Sequence, residues 1–178
     1  MKYLIVVIIM LWSIPLFAWE HRLDNDGYHQ TISYLKATEG AAKFSGAPQW
    51  FLIGLIYNES NGDSTAVGDG GRAFGLGQIH CGPGGFDWLV FLGPYGFKDC
   101  EELLDPTKNI IAISIIVRYL KSKMKQPDDL LLLATLYHKG ESSRKRGKKK
   151  AKGYYKRVKW FGKQIMERHQ QACLPIAN

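Results

Sequence analysis

Glu59 closes a strongly apolar segment, and Asp69 lies inside the glycine-rich stretch that follows it. A carboxyl group partly removed from water holds its proton to higher pH. Such a group can donate that proton to a leaving oxygen. Glu59 is placed for this role, at the end of an apolar helix and before a loop. Position alone also fits a surface glutamate at a helix end, where the dipole acts only weakly on an exposed carboxylate. Asp69 offers a second carboxylate ten positions further on. It equally suits a turn, because Asp-Gly is a common turn pair.

The elements that position these groups can be read from the pattern. Tyr28 to Phe44 has helical spacing, marked by Ile32, Leu35, Ala42 and Phe44, with Gly40 against it. Ala47-Pro48 opens a second helix, apolar nearly all round from Trp50 to Tyr57, as in a helix central to a core. Asn61-Gly62 ends it. Gly62, Gly68, Gly70, Gly71, Gly75 and Gly77 make the next stretch a loop, either plain surface or shaped around a ligand. Phe86 to Phe97 reads as a short aromatic helix and turn. Asp105-Pro106 caps and starts a long helix. Pro127 with Asp128 and Asp129 begins another, which stops at Gly140. The last helix runs from Tyr154 to His169. The fold class is all-α: a compact helical globule with a Gly-rich active-site loop or small β element near residues 63–80.

The 178 residues suit one domain with short additions. With 46% apolar and 22% charged residues the chain is neither disordered nor a multi-span membrane protein. Met1 and Lys2, the apolar run Tyr3 to Trp12, Pro15 and the small Ala18 match a signal peptide over 1–18. An uncleaved anchor is the other reading, but a run to Trp19 is marginal for a bilayer span. The mature domain is then 19–178, periplasmic or secreted. Export permits a disulfide. Cys81 and Cys100 flank one Gly-rich connection and are the favoured pair, which leaves Cys173 over. No Cys/His cluster has metal-ligand spacing, and the five histidines are scattered, so neither metal nor cofactor is expected.

Charge is local. Lys139 to Lys159 holds eleven cations against Glu141 alone, more than the whole formal surplus of +8. This basic loop, 139–159, is either a solvated face or a patch for an anionic polymer or an acidic protein. Nucleic acid fits the charge but not the export signal and is not expected as a partner.

Four ordered blocks carry a family resemblance. They are Glu59-Ser60, the stretch Gly75-Leu76-Gly77-Gln78-Ile79, Asp105-Pro106-Thr107-Lys108-Asn109-Ile110, and Tyr137-His138-Lys139-Gly140. Over about residues 28–165 the chain resembles the soluble lytic transglycosylase (SLT) catalytic domain and its goose-type lysozyme relatives, in the lysozyme-like superfamily. The resemblance implies cleavage of the MurNAc-GlcNAc β-1,4 bond of peptidoglycan strands with Glu59 as catalytic acid. It implies substrate contacts from Ser60, Gly75, Gln78, Tyr137 and His138, with Tyr137 hydrogen-bonded near the acid. Gly77 departs from the methionine often found there, and His138 from the usual asparagine. A histidine at 138 is expected to titrate near neutrality.

In the family one Glu protonates the bridging oxygen and the substrate's acetamido group stabilises the cation. The Glu then deprotonates the C6 hydroxyl to leave 1,6-anhydroMurNAc ends. Such domains often open the wall for a secretion or conjugation apparatus. The Gly-Asp-x-Gly-x-x-Phe-Gly-Leu setting of Asp69 resembles goose-type lysozyme, and so implies a hydrolytic muramidase as the alternative. A non-catalytic wall-binding assembly module is the third reading.

Overall fold

The computed structural model describes residues 23–82, 87–140 and 148–174, with backbone alone at 148–150. The signal-peptide reading of 1–18 therefore lies outside the described residues, as do Phe86 and the cations at 144–146. Among the described residues no helix is long and apolar enough to cross a membrane.

The chain starts with α1 (Asn25–Ile32) and α2 (Leu35–Ser45). These divide what the spacing presents as one helix. Ser33 donates its hydroxyl to the Gln30 carbonyl at 2.6 Å. Its amide turns to the same carbonyl at 3.3 Å. A serine that bonds the backbone locally competes with the helical ladder. Phe44 is exposed, with the Arg118 guanidinium 4.7 Å above its ring.

Helix α3 (Gln49–Ser60) is the centre of the molecule. Phe51, Leu52, Leu55 and Ile56 are essentially without solvent exposure. Burying each contributes about 1.5–3 kcal/mol. Asn61 caps the helix in the left-handed conformation, φ 56°. The chain then forms three two-residue antiparallel strands, β1 (Val67–Gly68), β2 (Ala73–Phe74) and β3 (Ile79–His80), in sequential order. Val67 pairs with Phe74, and Phe74 with Ile79. The Cys81–Cys100 disulfide ties the end of this sheet to the segment after α4 (Trp88–Leu92). Cys173 is free and exposed.

Helix α5 (Pro106–Ser122) begins as its Asp-Pro pair dictates, with the Asp105 carboxylate accepting the Lys108 amide at 2.8 Å. Helix α6 (Leu130–Lys139) starts later than Pro127, because the Asp129 carboxylate takes the Leu132 amide at 2.9 Å and fixes the cap. Helix α7 (Lys148–Ala172) is longer at both ends than the apolar spacing suggests. The stretch read as a basic loop is therefore helical from residue 148 onward.

One crossing decides where α7 lies. A Cβ on Gly54 would sit 1.9 Å from the Val158 carbonyl oxygen, and one on Gly162 would sit 1.8 Å from the Trp50 carbonyl oxygen. Two glycines let the α3 and α7 backbones touch, which side chains would forbid. Tyr57, Ile53, Phe161 and Ile165 extend the contact into a cluster that also holds Tyr28 of α1.

Candidate active site

Glu59 occupies the last turn of α3 and is half-buried. The Tyr154 hydroxyl, on α7, donates a hydrogen bond to its Oε1 at 2.5 Å. Oε2 is left to carry a transferable proton. Burial raises the pKa of Glu59 above the ordinary carboxylate value. The Tyr154 bond and then the Arg157 charge pull it back. The outcome is an acid that keeps its proton longer than an exposed glutamate would. Tyr154 itself is buried, and burial with the Glu59 charge pushes its pKa well above the usual tyrosine value. It stays a neutral donor.

A cleft of about 260 Å³ opens beside Glu59, lined also by Asp69, Ala73, Gln78, His80, Tyr137 and His138. A second recess of about 200 Å³ shares His80, Tyr137 and His138 and runs on to Trp88, Tyr119 and Lys139. Together they form a groove walled by aromatic rings and polar edges, the surface that sugar faces and hydroxyls require. Among the described residues no group of three or more His, Cys, Asp or Glu is placed to hold a metal ion.

The residues singled out from sequence fall into different places. Gln78 and Tyr137 line the cleft, yet the Gln78 amide nitrogen and the Tyr137 hydroxyl are engaged within the chain. The Gln78 amide donates to the carbonyls of Ala66 at 3.1 Å and Gly75 at 3.0 Å, so it knits the loop. Tyr137 donates to the Gly77 carbonyl at 2.9 Å. The hydroxyl bound to the acid is thus that of Tyr154, not Tyr137. Tyr137 also explains the glycine at 77: a Cβ there would lie 2.6 Å from its hydroxyl and 2.7 Å from Ile113.

Ser60 bonds backward, its hydroxyl facing the carbonyls of Leu76 at 3.0 Å and Ile56 at 3.2 Å. It ties the acid's helix to the sheet and is not among the cleft's lining residues. Gly75, with φ 66°, is buried against the Leu103 carbonyl and Asn109, where a Cβ would sit 2.1 Å from that oxygen. It shapes the loop and does not line the cleft.

His138 is exposed and stacks on the Tyr154 ring, centroids 4.3 Å apart and planes 13° off parallel. Partial desolvation, then the charges of Lys139 and Arg157, lowers its pKa. The shift is away from the charged form, to lower pH than residue type alone implies. Asp69 lines the cleft but is already paired. Its Oδ2 lies 3.0 Å from Arg72 Nη2 and 3.5 Å from His80 Nε2.

Sequence reasoning missed three contributors. Tyr154 lay in a helix read only for its apolar face, and Arg157 was one cation among eleven. Asn109 carried part of a motif without a stated role. It is fully buried, accepts the Gly77 amide at 2.9 Å, and donates to Phe74 and Leu103 carbonyls at 3.1 and 2.6 Å. The signal for Asn109 was available: a polar residue among isoleucines at the start of a buried helix needs partners.

A mainly-α lysozyme-like globule with one desolvated acid beside a small antiparallel sheet defines a class of glycan-cleaving domains. Within that class the chain belongs to the transglycosylase SLT domain family, whose model matches residues 36–159. Peptidoglycan is the substrate and lytic transglycosylase the class of activity that this family brings. No curated protein gives a significant match.

Proposed function

We propose that the chain is a single-acid lytic transglycosylase. Glu59 protonates the oxygen of the MurNAc-GlcNAc β-1,4 link, then takes the proton of the C6 hydroxyl as the 1,6-anhydro ring closes. The first step breaks the glycosidic C1–O bond, and the Glu59 proton goes to the departing sugar's hydroxyl. The second forms C1–O6 and returns a proton to Glu59. Atoms balance with no water consumed. The substrate's acetamido oxygen steadies the intermediate cation. Tyr154 holds Oε1 throughout, so the same oxygen gives and regains the proton.

The observation that carries this reading is the contrast between the two carboxylates. Glu59 is desolvated and held by a neutral phenol, whereas Asp69 is exposed and paired with Arg72 and His80. Both contacts fall on Asp69 Oδ2 and tie that exposed side chain to its own loop, which favours the single-acid reading over the muramidase alternative.

The reading places the domain outside the cytoplasm, after removal of residues 1–18. The Cys81–Cys100 bond agrees with an oxidising compartment. Opening the wall for a secretion or conjugation apparatus belongs to the same proposal, and apparatus assembly in cells carrying Glu59→Gln measures it.

Mass spectrometry of digested sacculi tests the chemistry. Anhydro ends from the wild type and none from Glu59→Gln are expected. Reducing ends would transfer the site to hydrolysis. Wall that is bound but uncut by the wild type would leave a binding module.

A further inference from the structure

Eleven cations crowd residues 139–159, and the catalytic reading uses none of them. One differs from its neighbours. Lys152, Lys156 and Lys159 are exposed, whereas Arg157 is half-buried. The face of α7 that meets α3 explains this. Tyr154, Val158 and Phe161 are the buried residues of that turn-by-turn stripe, and Arg157 stands beside them at i+3 from Tyr154. Arg157 Nε donates to the side-chain oxygen of Asn58 at 2.9 Å. Asn58 immediately precedes the acid. The guanidinium lies 6.0 Å from the centre of the Tyr154 ring, whose hydroxyl holds Glu59. Arg157 therefore joins both supports of the acid: the residue before it in α3 and the tyrosine that binds it from α7.

We propose that Arg157, clamped by Asn58, is a positioning residue of the transglycosylation site, holding Tyr154 on Glu59 and supplying the fixed positive charge against which the acid gives up and regains its proton. The proposal rests on the single-acid reading above and adds a residue to it.

A group that acts first as acid and then as base must not bind its proton too tightly. Brønsted behaviour favours a proton affinity matched to the working pH. Desolvation of Glu59 pushes one way, and the arginine pushes back. The other groups around the acid do not replace that charge. From α6 come Tyr137, His138 and Lys139; from β3 comes His80 and from the turns beside the strands Asp69 and Gln78; from α7 comes Tyr154. Asp69 Oδ2 lies against Arg72 at 3.0 Å and His80 at 3.5 Å. The pKa of His138 is lowered by partial burial and by the Lys139 and Arg157 charges, which disfavours its charged form. Tyr137 and Tyr154 are neutral donors. Lys139 is exposed at the end of α6. Among the described residues Arg157 is the cation hydrogen-bonded to a side chain of the acid's own helix, and an arginine fork pre-organised by a side-chain acceptor is not matched by a lysine.

The test is the pH dependence of wall-fragment release, scored by anhydro ends, in wild type, Arg157→Gln, Arg157→Lys and Asn58→Ala. The high-pH limb reports deprotonation of the free acid. With the charge removed, Arg157→Gln is expected to shift that limb to higher pH and lower the maximal rate. Arg157→Lys should restore the limb toward wild type without restoring the full rate, since charge returns but the fork does not. Asn58→Ala, which frees the guanidinium, should move the limb in the same direction as Arg157→Gln. A limb unmoved in Arg157→Gln of native helical spectrum would overturn the proposal, even with the rate reduced, because lost packing lowers rate at every pH alike. If Arg157→Gln does not fold, an unmoved limb in Asn58→Ala overturns it. Neither result touches the single-acid reading, which fails only if the wild type makes no anhydro ends or Glu59→Gln retains activity.

Discussion

Replacing Gly162 by alanine puts one methyl group where two helices touch. Its carbon would lie 1.8 Å from the Trp50 carbonyl oxygen, 2.8 Å from the Trp50 carbonyl carbon and 3.1 Å from the Gly54 nitrogen. Ordinary carbon contacts sit at about 3.5 Å. These neighbours are backbone atoms of the central helix and cannot rotate away, so α7 must retreat by more than about 1 Å. Overpacking of this kind costs about 1–3 kcal/mol. The gain in helix propensity on replacing glycine offsets it by up to about 1 kcal/mol. A net loss of about 1–2 kcal/mol corresponds to a midpoint lower by about 2–8 °C for a domain of this size.

The catalytic consequence is larger. Tyr154 rides on the same helix, and its bond to Glu59 stands at 2.5 Å. Retreat breaks it, and a hydrogen bond to an ionisable group is worth about 1.5–3 kcal/mol. Activity should fall by at least about tenfold. Gly153→Ala is the control, on the same helix and next to Tyr154. Its nearest neighbour would be Arg157 Nη1 at 4.0 Å. It should leave the midpoint unchanged or higher. Thermal unfolding and fragment release on both variants decide the matter. A Gly162→Ala protein as stable and active as the wild type would refute the claim that backbone contact at this crossing seats the acid's tyrosine.

Asn109→Leu keeps the branched heavy-atom skeleton but strands the Gly77 amide and the Phe74 and Leu103 carbonyls. The expected loss is about 2–4 kcal/mol by denaturant unfolding, with the midpoint shifted at constant slope. Glu59 carries a pH-dependent cost to the fold. Its folded pKa lies above the unfolded value, so over that window the unfolded chain binds fewer protons than the native one. Its contribution to stability is therefore present below the ordinary carboxylate range and lost as pH rises through the raised value. Glu59→Gln should remove that decline, giving at neutral pH a protein at least as heat-resistant as the wild type, though without activity.

The elements legible in the sequence were those whose signals are local. Pro48 and Asn61 bound the central helix, and Asp105 with Pro106 starts the long one, because caps depend on residues a few positions apart. The apolar surround of α3 announced a buried helix, and the glycine-rich stretch announced the loop that carries the small sheet. Glu59 could be singled out because it ends the one and precedes the other.

Partnership across the fold was another matter. Tyr154 lies 95 positions from the acid it holds, and Arg157 lies 99 from Asn58. Nothing local distinguishes Tyr154 from Tyr155, or Arg157 from the lysines around it. Their contacts are decided where α7 crosses α3, by two glycines that let the backbones meet and so fix which face of the helix turns inward. Ser60 and Gln78 likewise carry the right chemistry for sugar, but the Ser60 hydroxyl and the Gln78 amide nitrogen are spent within the chain, because the carbonyls of a tight loop must find donors. Residue types and caps were written in the chain; proton affinity, and which tyrosine meets the acid, came from burial and close approach, which exist only once the helices are packed.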